Sequence, residues 1–84
     1  MSSNEAAGRA VAWQAFVRMQ AILTYPHHTH WGEQAWAEYA HHISNGFRDL
    51  FTLTEQERGE AENLFFNTII RLQEVEQGTQ IRLN

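Results

Sequence analysis

Apolar side chains return every three or four residues along this chain, and the rhythm breaks only around Pro26 and around residues 52–54. A repeat near 3.6 positions is what a helix needs to bury one face, whereas a half-buried strand needs strict alternation. The pattern therefore admits helices and little else. Pro26 is the sole proline. It disfavours helical geometry at Tyr25, so a first helix must end there.

Three helices follow, at about residues 3–24, 30–51 and 54–77. Ser2 and Glu5 fit a capping box for the first. Its expected core line is Ala12, Phe16, Met19 and Leu23, flanked by Trp13 and Val17 on one side and by Ala15 and Ile22 on the other. Gln14 and Arg18 mark the narrow wet strip, so the apolar sector is wider than a surface helix requires.

Thr29 is the expected cap of the second helix, with Trp36, Ala40, Ile43, Phe47 and Leu50 on its core line and Tyr39 and Phe51 alongside. Ser44-Asn45-Gly46 breaks the composition but not the phase, which predicts one helix, with Gly46 the place for any bend. Thr54 and Glu57 form a capping box for the third, and Ala61, Leu64, Phe65, Thr68, Leu72 and Val75 line its core face, with Ile69 beside them. Gly78 stands where a terminating glycine belongs, and the tail 79–84 would pack Ile81 and Leu83 back onto the helices. Short connections force neighbouring helices to be antiparallel. The expectation is one all-α domain over residues 1–84, a three-helix up-down-up bundle, with homodimerisation as one way to cover its apolar excess.

Composition narrows the function classes. No cysteine is present, which excludes disulfides, thiolate catalysis and thiolate-held metals. The net charge is −4 and all six cations are arginine, scattered along the chain without a basic cluster. Direct nucleic-acid binding and docking on anionic membranes both draw on such clusters, so neither is expected. No apolar run approaches the roughly 20 residues that span a bilayer, and the start Met1-Ser-Ser-Asn-Glu5 lacks a signal-peptide pattern. A cytoplasmic protein is the default expectation.

All five histidines lie between His27 and His42, interleaved with Tyr25, Trp31, Trp36 and Tyr39. Imidazole ligates metals and titrates near neutral pH, and protonating all five would carry the formal charge from −4 to +1. Spacing argues against one shared ion. His30 and His41 are about 16 Å apart along a helix, and the adjacent His41 and His42 diverge by about 100°. No His-x-x-x-His pair occurs, so a site built from His27, His28 and His30 would need ligands from elsewhere. Solvated histidines are the expectation, without metal or cofactor.

Catalytic motifs are absent too: no nucleophile elbow, no glycine-rich phosphate loop, and Ser44 reads as a helix-surface serine. The run Glu55, Glu57, Glu60 and Glu62 reads first as compensation of a helix dipole, and second as an acidic face for a basic partner.

Three Trp, five Phe and two Tyr are many for a core of this size, and Phe66 with Ile70 form a stripe off the third helix's main face. The expected function is a non-enzymatic module that binds protein, an inhibitor or adaptor occluding a surface on a larger target. In general character, small, acidic and cofactor-free, the chain is similar to phage-encoded blockers of host defence such as anti-CRISPR proteins, though no motif carries a family resemblance. The alternatives are a structural subunit of a homo- or hetero-oligomer and, further off, a histidine-based metal-binding module. The expected partner contacts are Trp31, Tyr39, His41, His42, Arg48, Phe66 and Ile70.

Overall fold

Three helices packed against each other make up the protein, as a computed structural model describing residues 3–83, with side chains for residue 5 and residues 7–78. Helix α1 spans Ser3–Thr24, α2 Glu33–Phe51 and α3 Glu55–Leu83, with a 3₁₀ turn at Tyr25–His28 and no strand among the described residues. α1 and α3 run parallel, tied near one end by Arg9 to Glu57 and near the other by Tyr25 to Glu76. α2 runs against both, so the up-down-up bundle is realised. Its Cα frame measures 54 × 24 × 17 Å, with α3 as the spine on which both other helices lie.

The core is a column of Trp13, Val17, Ala21 and Tyr25 from the α1 side, Trp36, Ala40 and Phe47 from α2, and Ala61, Phe65 and Ile69 from α3, with Leu53 closing one end. Ring edges and faces knit it together. Phe16 meets Phe47 and Phe51 edge-on at 5.7 and 5.1 Å, and Phe65 lies 6.4–6.5 Å from Phe47 and Trp36. The buried indole N–H groups of Trp13 and Trp36 find no acceptor among the described residues.

Four expectations are corrected. The buried line of α1 is Trp13, Val17 and Ala21, continued by Tyr25, one residue and about 100° away from the expected Ala12, Phe16, Met19, Leu23 line. A helix apolar on most of its circumference offers several phases, and the one chosen buries its largest ring. α2 begins at Glu33, and Gly32 rather than Thr29 is its cap, with no side-chain capping bond. Thr29 instead closes the 3₁₀ turn that Pro26 opens. Trp31 and the extended Gly32 fall outside the helices, and Trp31 lies against His28 and Trp36, so ring packing outweighs the cap.

α3 does not stop at Gly78 but continues helically to Leu83, because a glycine ends a helix only by taking a left-handed φ, and no described glycine has one. The tail is thus helix rather than a strap folded back. Last, Leu50 and Val75, expected in the core, are 63% and 66% exposed. The capping box at Ser2 lies outside the described residues.

Two signals behave as their chemistry requires. The Thr54 backbone N–H donates to Glu57 Oε1 at 2.9 Å and the Glu57 N–H donates to Thr54 Oγ1 at 3.1 Å, a complete capping box. α2 passes through Gly46 without interruption and ends at Thr52, whose φ of 54° is left-handed. A β-branched residue there costs about 1–2 kcal/mol. The turn is held by the Leu53 N–H bond to the Arg48 carbonyl and by Arg9 donating to the Thr52 carbonyl at 2.9 Å.

A Cβ added at Gly46 meets nothing within 4 Å. Gly46→Ala should therefore stabilise the bundle by about 1 kcal/mol through helix propensity alone. Thermal unfolding followed by circular dichroism should show a midpoint raised by roughly 4–8 °C. A lower midpoint would mean that α2 is not a continuous helix there.

Candidate interaction surface

The histidine and aromatic segment turns out to build the corner between α1 and α2. His28 stacks on Trp31 at 4.0 Å with the rings 10° from parallel, Trp31 meets Trp36 and Tyr39 edge-on, and Tyr25 stacks on Trp36. Gln73 from α3 donates to the Trp31 carbonyl at 3.3 Å. Sequence composition marked this region as unusual, and its rings pack against each other. His27, His30, His41 and His42 are exposed, and among the described residues no three His, Asp or Glu side chains group as a metal ion would need.

Beside the corner lies a polar clasp between α2 and α3. Ser44 is wholly buried, not a surface serine. Its hydroxyl donates to the His41 carbonyl at 2.7 Å and accepts from Arg58 Nη1 at 2.5 Å. Arg58, whose side chain is only 12% exposed, also donates to Glu62 at 2.8 Å and to Glu55 at 2.9 Å. His41 Nδ1, when it carries the proton, donates to Glu62 at 3.1 Å, and Arg48 pairs with Glu55 at 3.0 Å.

The carboxylates respond accordingly. Hydrogen bonding from Arg58, seconded by Arg48, holds the Glu55 carboxyl below its usual range, and Arg9 with the Thr54 N–H does the same for Glu57. Burial pushes Glu62 up, but the bonds from Arg58 and His41 outweigh it and leave the group lowered. Arg58 is raised in turn, chiefly by Glu62. Desolvation raises Tyr25, with the Glu76 carboxylate it donates to adding to the effect.

These ties decide what the expected contact residues can offer. Glu55, Glu57 and Glu62 are spent on arginines of this same chain, and Glu60 alone of the four has no ionic tie among the described residues. His41 and Arg48 face the same clasp. Phe66 is half-buried and packs on the core, as do Trp31 and Tyr39, while Ile70 is half-buried. His42 borders a shallow depression of about 480 Å³ with Tyr39, Ile43, Asn45, Gly46 and Asp49. All its walls come from α2, so it has no opposing side to enclose a small molecule.

The aromatic excess read from the sequence is thus absorbed within one copy: every Trp, Tyr and Phe lies in the core or against it. The aliphatic excess is not. On α1, Val11, Met19, Ile22 and Leu23 are 66, 53, 47 and 58% exposed. Ala7, Gly8, Ala12 and Ala15 are exposed between them. At 100° per residue all eight fall on the sector opposite Trp13, Val17 and Ala21, with Arg18 at its edge and Arg9 turned aside to Glu57. None of these aliphatic residues was expected in the contact set. The signal was present in the sequence as an apolar sector too wide for one interface, but the phase error placed half of it inside.

No family model, curated protein or solved structure matches this chain. No helix among the described residues is long and apolar enough to cross a membrane.

The clasp generates two expected outcomes. Arg58→Met removes the donor to the buried Ser44 hydroxyl and leaves Glu62 with His41 alone, and should cost about 1–3 kcal/mol, read as a lower midpoint in urea unfolding. Glutamates that ionise more readily when folded contribute stability above about pH 4.3, the unfolded value, and lose it as pH falls through their lower folded values. Thermal midpoints should fall on acidification below about pH 4.5, and Glu62→Gln should flatten that slope. An unchanged slope would remove Glu62 from the account.

Proposed function

We propose that this chain is a non-enzymatic protein-binding module whose working surface is the outer face of α1. The observation that carries the reading is the exposure of Val11, Met19, Ile22 and Leu23 on one sector of one helix, in a bundle that has otherwise drawn its large rings inward. An exposed apolar strip of several hundred Å² is the usual mark of a surface that another protein covers. Inhibitor, adaptor and subunit are variants of one physical act, occupation of a partner's surface, and the α1 face serves each of them.

The electrostatics support the same reading. Between Ala7 and Leu23 the sector carries one charge at its edge, Arg18, so docking on it desolvates few ions. Most of the acidic run is satisfied internally and adds solubility rather than a face for a basic target.

The test compares captured protein on immobilised wild-type chain and on a Met19→Asp/Ile22→Asp variant in an extract of the native host. Both positions are about half exposed, so the variant should keep its helical circular dichroism. The expected result is loss of capture by this variant and retention by a His41→Ala/His42→Ala control. Capture unaffected by the α1 changes but abolished by the histidine changes would move the working surface to α2.

A further inference from the structure

We infer that the partner covering the α1 face is a second copy of this chain, packed antiparallel about a two-fold axis at Ala15. The inference rests on the α1 face being the working surface and goes on to name its occupant. Two spacings coexist on this helix. The buried line Trp13, Val17, Ala21, Tyr25 steps by four, as packing on α3 requires. The exposed line Gly8, Ala12, Ala15, Met19, Ile22 steps by four, three, four, three. That alternation sets the five residues in one row along the helix, on the side away from the bundle's own core, where a second helix could lie against it.

Shape selects the direction. The seam tapers: its first half is small, with Ala7, Gly8 and Ala12, and its second half is large, with Met19, Ile22 and Leu23. A parallel pair would set large against large at one end and leave a gap between glycines at the other. Antiparallel pairing about Ala15 places Ile22 over the partner copy's Gly8 and Met19 beside its Val11. A Cβ built at Gly8 meets nothing within 4 Å of its own chain, so the space that Ile22 would take is open.

Area and charge set the strength. The exposed fractions of Val11, Met19, Ile22 and Leu23 amount to about 400 Å² of apolar surface, and with the small residues between them a pair would bury on the order of 1,000 Å² in total. That is where specific but weak association begins, which sets the expected dissociation constant on the order of micromolar to tens of micromolar. Antiparallel pairing staggers the two Arg18 residues by about 9 Å along the axis, close to the screening length. The seam brings no acidic group together, yet each copy carries −4, so added salt should strengthen the pair rather than weaken it.

The chain contains no cysteine, so single-cysteine reporters are clean. The experiment is sedimentation velocity of the full chain from about 5 to about 500 μM, bracketing the constant expected from the buried area, together with oxidation or short bismaleimide crosslinking of Ala15→Cys, Gly8→Cys and an equal mixture of Gly8→Cys and Ile22→Cys. The expected result is a concentration-dependent dimer that grows with salt, efficient self-crosslinking at position 15, little at position 8, and recovery of crosslinking in the mixture. Gly8→Phe should abolish the dimer by occupying the place of Ile22, with the monomer's helicity kept. A chain monomeric at every concentration overturns the second copy as occupant, and the capture experiment above still decides whether the α1 face binds a different protein. Self-crosslinking of Gly8→Cys as efficient as that of Ala15→Cys overturns the antiparallel arrangement, and a dimer that weakens with salt overturns its apolar basis.

Discussion

Arg58 is the group on which the register of the bundle depends. Its guanidinium, nearly desolvated, reaches a serine on α2 and two glutamates on its own helix, so α2 and α3 meet at one axial setting. A hydrophobic column such as Trp36, Phe65 and Phe47 tolerates sliding by a turn far better than a forked hydrogen-bond donor does. Arg9 plays a related part for α1, bridging Glu57 and the carbonyls of Phe51 and Thr52 at the point where α2 hands over to α3. Two arginines thus fix the end of the bundle that the capping box of α3 opens, and the Tyr25–Glu76 bond fixes the other.

Legibility of the sequence followed the distinctiveness of each local signal. α3 began where Thr54 and Glu57 said it would, because a capping box satisfies two backbone donors wherever the rest of the helix packs. α1 ended at Thr24, just before Tyr25, and the chain runs on through Pro26 as a 3₁₀ turn, because proline brings no N–H to continue the α-helical bonding even though Tyr25 itself keeps a helical turn. Periodicity was weaker where it was redundant: with apolar residues all around α1, the choice between Phe16–Leu23 and Trp13–Ala21 was made by the volume of Trp13 against α3, which no local pattern carries. Capping and stop signals that rely on propensity alone, Thr29 and Gly78, yielded to ring packing in one case and to simple helix continuation in the other.

The candidate surface was legible in kind and not in place. A width of apolar sector beyond what three helices need was visible in the sequence, but aromatic residues drew the assignment because they dominate binding hot spots. In the fold those rings are the easiest to bury, since each satisfies several neighbours at once, and the aliphatic side chains of α1 remain outside. Ser44 was misplaced for a related reason: its burial depends on an arginine fourteen residues on, and nothing local announces that partnership.

The parallel pairing of α1 with α3 bears on how the chain is made. α1 leaves the ribosome before α2 and α3, yet the helix it packs on most, α3, is the later of those two, and Phe16 supplies its ring contacts to α2. At translation rates of about 5–20 residues per second, the nascent α1 waits several seconds for its spine. Both of its apolar sides stand open throughout that interval, so a neighbouring nascent copy on the same messenger would meet the outer sector before the bundle has closed.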